Sequence, residues 1–235
     1  MSILSGQNIV FGYETKPLVN AFDFEVEPGK VVGLLGLNGS GKTTFFKTLM
    51  GGVPLLKGSL TWNGKNINDL SFSERHKIFS WLPARKLIEE RLKVFEILTF
   101  SAPSDVLQQE EILIQTDEII HLMRIEEFLE LPYHLLSEGQ KKKVEIAALL
   151  MKKSSVILLD EPSVFLDISN QADLVTVIKK LSKEQGKTIF ISSHNLDFLK
   201  ACADVCWEIS GTKVSLNQNV DQAIYKYSNK LNDHC

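Results

Sequence analysis

The chain is expected to fold as an α/β protein on a mostly parallel sheet. Three observations lead there. Val31-Val32-Gly33-Leu34-Leu35 is a continuous apolar run, the pattern of a strand buried on both faces. It passes through a glycine-rich loop into a helical stretch from about Lys42 to Met50. From Ser137 onward the pattern alternates helix, strand, helix, strand, helix, as a parallel sheet with crossover helices requires.

The elements follow in order. The first sixty or so residues read as short strands with turns. Asn20 to Val26 alternates partly, and Glu27-Pro28-Gly29-Lys30 is a turn signal. Gly58-Ser59-Leu60-Thr61-Trp62-Asn63-Gly64 reads as a further strand and turn. Residues from about 71 to 135 are richer in Glu, Leu and Ile, with helical spacing in Glu110 to Met123 and punctuation at Pro103 and Pro132. They read as a helical insertion. Strands are expected at Val156 to Leu159 and Thr188 to Ile191, and helices at Gln171 to Lys183 and Leu196 to Ala203. There is no internal repeat and no low-complexity tract.

Composition narrows the class. The 235 residues are 44% hydrophobic and 23% charged, ordinary values for a globular protein. A net charge of −3 gives no global attraction to nucleic acid or anionic lipid. Three cysteines, Cys202, Cys206 and Cys235, form no disulfide framework and fit a reducing compartment. Cys202 and Cys206 lie four apart on an expected helix, where two small helix residues is the favoured reading over a metal site. The N-terminus carries no signal-peptide pattern. The apolar runs fall far short of the ~18 residues of a membrane span, so any membrane attachment is expected to come from a partner.

Gly36-Leu37-Asn38-Gly39-Ser40-Gly41-Lys42-Thr43 fits the G-x-x-x-x-G-K-[ST] phosphate loop, between a buried strand and a helix as that motif requires. Its glycines let consecutive N–H groups point at phosphates, and the helix N-terminus favours negative charge. Lys42 is expected to pair with β- and γ-phosphates and Thr43 to ligate Mg²⁺, with Thr44 opening the helix beside them. Val156-Ile157-Leu158-Leu159-Asp160-Glu161 brings Asp160 to the carboxyl end of a buried strand, where open α/β sheets bind ligands. Asp160 is a candidate Mg²⁺ holder and Glu161 a candidate general base. Ser137-Glu138-Gly139-Gln140 is a helix capping box, and a helix start of this kind also suits an anion. Val144, Ala147, Ala148 and Met151 then form one apolar helix face. Lys141, Lys142 and Lys143 read as a solvated helix face rather than an anion patch.

This order of elements resembles the ATP-binding-cassette family over nearly the whole chain. Its signature LSGGQ stands here as Leu136-Ser137-Glu138-Gly139-Gln140, between the phosphate loop and Asp160. The resemblance implies a P-loop NTPase fold with an antiparallel β subdomain. Residues 1–70 and 155–235 would form the core with that subdomain, and about 71–154 an inserted helical subdomain. It implies that Ser163-Val164-Phe165-Leu166-Asp167 is the D-loop, with Asp167 at a subunit interface. It also implies that His194 is the switch histidine contacting the γ-phosphate, and that Tyr13 stacks on adenine. Where the family carries a Q-loop glutamine after a strand ending in Leu-Pro, this chain has Trp81-Leu82-Pro83-Ala84. The gap there is open to water, to Glu89 or Glu90, or to looser coupling.

The resemblance further implies Mg²⁺-dependent ATP hydrolysis at the cytoplasmic face of a membrane, in a head-to-tail homodimer or with a paralogous cassette. Transmembrane permease subunits would be the partners, with no nucleic acid. Lys93 to Leu98, Pro103 and Leu131 to Ser137 are similar to segments of importers of iron chelates, haem and cobalamin. The alternatives are a soluble ATPase of cofactor (iron–sulfur) assembly and, less in keeping with the acidic balance, a nucleic-acid-linked ATPase.

Overall fold

The computed structural model describes residues 4–84, 91–103 and 109–232. The strands are β1 (Leu4–Tyr13), β2 (Lys16–Pro17), β3 (Phe22–Val26), β4 (Val31–Leu35), β5 (Leu55–Trp62), β6 (Lys65–Asn66), β7 (Phe79–Leu82), β8 (Val156–Asp160), β9 (Thr188–Ser192), β10 (Val205–Ser210) and β11 (Lys213–Asn217). The α-helices are α1 (Lys42–Met50), α2 (Phe72–Ile78), α3 (Val94–Ser101), α4 (Gln109–Met123), α5 (Glu138–Leu150), α6 (Ile168–Lys183), α7 (Leu196–Cys202) and α8 (Val220–Asn232).

A six-stranded sheet runs β11-β10-β4-β9-β8-β7. All its neighbours are parallel except β11, which returns antiparallel on β10. The period of two along each strand decides what covers each face. Val31, Leu35, Ile157, Leu159, Ile189 and Ile191 join one buried cluster with residues of α3 to α8. Val32, Leu34, Val156, Leu158 and Phe190 join the opposite cluster, with Phe45, Phe46 and Leu49 of α1 and the inner residues of β1, β3 and β5. Those last strands belong to the second sheet, β2-β1-β5-β6 with β3 on β1, which is antiparallel throughout. Phe45 sits in an aromatic nest with Phe11, Phe24, Phe190 and Trp207. It joins the helix after the glycine-rich loop to both sheets.

Three expectations change. Within the stretch read as helical, Phe79–Leu82 is the edge strand of the large sheet, paired with β8. Cys206 is not on a helix: α7 ends at Cys202, and Cys206 opposes Gly33 in β10. Lys142 is not on a solvated face. It is 4% exposed, and its ammonium lies 3.0 Å from the equally buried Glu145, which also accepts a 2.8 Å hydrogen bond from the Tyr133 hydroxyl. One turn of helix brings Glu145 under Lys142, so the charge is paired rather than hydrated. Lys141 is different, reaching the exposed Glu138 at 2.7 Å.

Candidate nucleotide site

The sheet order brings the site together. β4, β9 and β8 are adjacent and parallel, so their carboxyl ends stand side by side. The loop after β4 carries residues 36–41, β8 ends on Asp160, and His194 follows β9 by two residues. β7 adds Ala84 from the edge. A cavity of about 640 Å³ is lined by Asn38, Gly39, Ser40, Gly41, Lys42, Thr43, Thr44, Ala84, Asp160, Glu161 and His194, together with Ser163, Val164, Gln171 and Asn195.

The glycine-rich loop closes on itself. Gly39 and Gly41 take φ of +77° and +110°, values that side chains rarely adopt, and Gly41 is the residue from which α1 starts. The Lys42 ammonium donates to the carbonyl oxygens of Gly36 at 2.6 Å and Leu37 at 3.1 Å. Lys42 is buried, and burial pushes its pKa down while Glu161 and Asp160 partly restore it. A cation so desolvated gains from a phosphate placed against it. Ser40 Oγ is buried with no hydrogen-bond partner among the described residues. Thr44 Oγ1 donates to the Tyr13 hydroxyl at 3.4 Å, so the half-exposed Tyr13 stands beside the start of α1.

The carboxylates are held from their own strands. Asp160 accepts from Thr43 Oγ1 at 2.7 Å on one oxygen and from Ser192 Oγ on the other. Thr43 and Asp160, two hard oxygen donors in contact, fit Mg²⁺. Glu161 leaves the strand at φ +52°, fixed by its amide on the Ser192 carbonyl at 3.0 Å. One carboxylate oxygen accepts the His194 amide at 3.2 Å. The other is buried, 3.4 Å from His194 Nε2 but without hydrogen-bond geometry. Burial raises the Glu161 pKa above the ordinary glutamate value. His194 Nε2 also lies 2.8 Å from Asn38 Oδ1. The histidine therefore joins the carboxylate to the glycine-rich loop.

The remaining expected residues stand apart. Ser137 caps α5: its Oγ accepts the Gln140 amide at 3.3 Å while Gln140 Oε1 accepts the Ser137 amide at 2.9 Å. Among the described residues, none of Ser137, Glu138, Gly139 and Gln140 lines the cavity. Asp167 caps α6 by accepting the Asn170 amide at 2.7 Å and is exposed. Glu89 and Glu90 lie outside the described residues. Gln171, Asn195 and Ser192 carry no motif signal, and only the fold brings them to the site, whereas Ser163 comes with the expected D-loop segment. Burial pushes the Cys202 and Cys206 thiols up to about 12. Among the described residues no helix is long and apolar enough to cross a membrane.

Residues 19–164 match the ABC transporter family. An uncharacterized ABC transporter ATP-binding protein of Haemophilus influenzae is 34% identical over 201 residues, 82% of this chain and 74% of that protein. The cobalt import ATP-binding protein CbiO of Salmonella typhimurium is 29% identical over 215 residues, 87% and 76% of the two chains. Other curated relatives are longer, and the chain spans 34% of their length. Among solved structures, cbiO1 of Clostridium perfringens, part of the ABC transporter complex cbiONQ, superposes with a TM-score of 0.84 at 26% identity, covering 96% of this chain and 91% of that one.

Proposed function

Because this chain belongs to the ABC transporter family and is an ATPase of that family, we propose that it powers a membrane transporter by working as a head-to-tail pair of cassettes. The backbone N–H groups of residues 38–43 cradle the phosphates, and Lys42 exchanges its loop carbonyls for β- and γ-oxygens. Tyr13 stacks on the adenine. Thr43 and Asp160 would hold Mg²⁺, which supplies charge neutralisation at the phosphates. Glu161 takes the proton of the attacking water. Its raised pKa makes it a stronger base than a free carboxylate, and His194 holds its position and faces the γ-phosphate.

The observation that carries the paired arrangement is the separation within one chain. The cavity gathers the phosphate loop, both carboxylates and His194, whereas the signature residues 137–140 lie outside its lining. Ser137 and Gly139 open a helix N-terminus suited to an anion, so they serve the site of a second copy or a paralogous cassette. Exposed Leu135, Val164, Phe165 and Ile168 beside the signature and D-loop suit such a contact.

Transmembrane permease subunits would convert the closing and opening into transport, with this chain peripheral on the cytoplasmic side. The cobalt-import name of one relative, with the similarity of residues 93–98, Pro103 and 131–137 to importers of iron chelates, haem and cobalamin, supports import of a metal or metal chelate. The soluble cofactor-assembly alternative is not carried forward, since the relatives bear transport names.

Three measurements test this reading. ATPase rate per subunit should fall on dilution, and a Lys42→Ala subunit mixed with a Ser137→Arg subunit should recover at most one composite site. Affinity purification from membranes should retain a polytopic membrane protein. A rate per subunit independent of concentration would overturn the pairing, and recovery of a soluble scaffold in place of a membrane protein would overturn the transport role.

A further inference from the structure

The side chain of Gln171 spans the gap between two loops of the site. It lies in the first turn of α6, where its own amide bonds the Asp167 carbonyl at 2.9 Å. Its Nε2 donates to the Leu166 carbonyl at 2.9 Å and more weakly to the Ser163 carbonyl at 3.4 Å. Both acceptors belong to the segment 163–167. With its two N–H groups engaged there, Gln171 turns Oε1 toward Asn195, whose Nδ2 donates to it at 3.0 Å. Asn195 has no freedom to reverse. Its Oδ1 already accepts the Phe198 amide at 3.0 Å and caps α7. The α7 cap and the two carbonyls therefore impose the orientation of both amides.

Asn195 directly follows His194, the residue that reaches Glu161 and Asn38. A second, shorter link runs beside the first: the buried hydroxyls of Ser163 and Ser193 are 3.1 Å apart, and Ser193 Oγ also accepts the Asn195 amide at 3.1 Å. The segment on the other side is held in an uncommon conformation. Phe165 has φ +69° and is largely exposed, so packing of its own side chain does little to fix the loop. The Gln171 amide is what anchors the Leu166 carbonyl just after it.

We propose that Gln171 is a positioning residue that ties segment 163–167 to His194, so that the placement of that segment sets the placement of the histidine against Glu161. The proposal rests on the reading of Glu161 and His194 as working groups, and it adds a residue and a route that the signature motifs do not contain. Gln171 lines the cavity, but this role needs no contact with nucleotide or water. It acts through Asn195.

The test uses substitutions that cut the bridge and spare the helices. Asn195→Ser keeps a hydroxyl to cap α7 and removes the donor to Gln171. Gln171→Met keeps the length and bulk of the side chain and removes both ends of the bridge. In the assembled ATPase each single change should lower kcat by roughly tenfold, about the worth of one hydrogen bond. KM for ATP should stay within about twofold of the parent, because the phosphate cradle is untouched. The double variant should be no slower than the worse single one, since both break one link. Thermal unfolding is followed for all three. Multiplicative losses in the double variant, losses confined to KM, or rates that follow melting temperature would each overturn the bridge. Glu161→Gln is run in parallel. If it turns over at the parental rate, the assignment of Glu161 fails whatever the bridge variants do. Should Gln171→Met fold poorly, Gln171→Glu retains the acceptor for Asn195 and cuts only the donor side, and parental kcat in that variant would also sink the proposal.

Discussion

A methyl group built on Gly139 would stand 3.0 Å from the carbonyl oxygen of Phe165 across the gap between the two segments. The start of α5 and the loop before α6 thus meet backbone to backbone at the one signature position that has no side chain. Gly139 does not need a left-handed conformation. It needs the absence of Cβ. An alanine there must push the 163–167 loop away by a few tenths of an ångström, and that loop carries Phe165 at φ +69°. Gly139→Ala should therefore cost little stability, within about 1 kcal/mol, while lowering the ATPase rate of the assembled protein. Steady-state ATPase assays beside thermal melts check this, and an unchanged rate would show that the loop tolerates the shift.

Glu161 makes two linked predictions with one sign. Its folded pKa is raised, first by burial, so its contribution to stability is present below the ordinary value of 4.5 and lost as pH rises through the folded value. Once ionised, the desolvated carboxylate opposes folding. Glu161→Gln should raise the melting temperature of the nucleotide-free protein at pH 7, and the gain should vanish below the ordinary glutamate pKa. The same change removes the proposed base, so kcat should fall at least about a hundredfold with ATP binding retained. In the parent enzyme kcat should fall on acidification at a pH above that of a free glutamate. Melting curves at several pH values and a pH–rate profile check both signs.

The parts that were legible in the sequence share one property: their signal is local. Val31–Leu35 and Val156–Asp160 announce themselves as apolar runs because both faces of the sheet are covered. The capping box at Ser137 and the glycines at 39 and 41 are fixed by their own neighbours. What stayed hidden depends on distant partners. Lys142 looks solvated within Lys141-Lys142-Lys143 until Glu145 and Tyr133 enclose it. Phe79–Leu82 is too short to stand out beside α2, and its strand character comes from pairing with β8, more than seventy positions on. Gln171 and Asn195 are ordinary polar residues until the sheet order sets the ends of β8 and β9 side by side.

The buried pair gives a prediction about stability. Lys142 and Glu145 are 5% and 8% exposed at the side chain, so removing one partner leaves a charge stranded out of water. Lys142→Ala should destabilise by about 3–5 kcal/mol. Lys143→Ala, at a partly exposed position next to it, should stay within about 0.5 kcal/mol. Urea unfolding of both variants decides it. Equal effects would mean that the Lys142 charge is hydrated through fluctuation of α5.

Ala84 lines the proposed nucleotide cavity from the end of β7, two residues past Leu82. Its side chain offers no acceptor, so nothing beyond its backbone there can reach a bound metal or phosphate. The coordination around Thr43 and Asp160 is then expected to be completed by solvent. Ala84 is exposed and points no bulk into the core, so a longer side chain can be accommodated without repacking. Ala84→Gln should leave ATP affinity within about tenfold, roughly 1.4 kcal/mol, because one amide exchanges for one water of similar worth. Its effect should instead appear in the dependence of kcat on the transmembrane partner, since the new side chain joins the cavity to the outer end of β7. Titration of nucleotide affinity, with ATPase rates measured with and without the membrane subunits, separates the two. A change in affinity well beyond tenfold would show that solvent does not occupy that position.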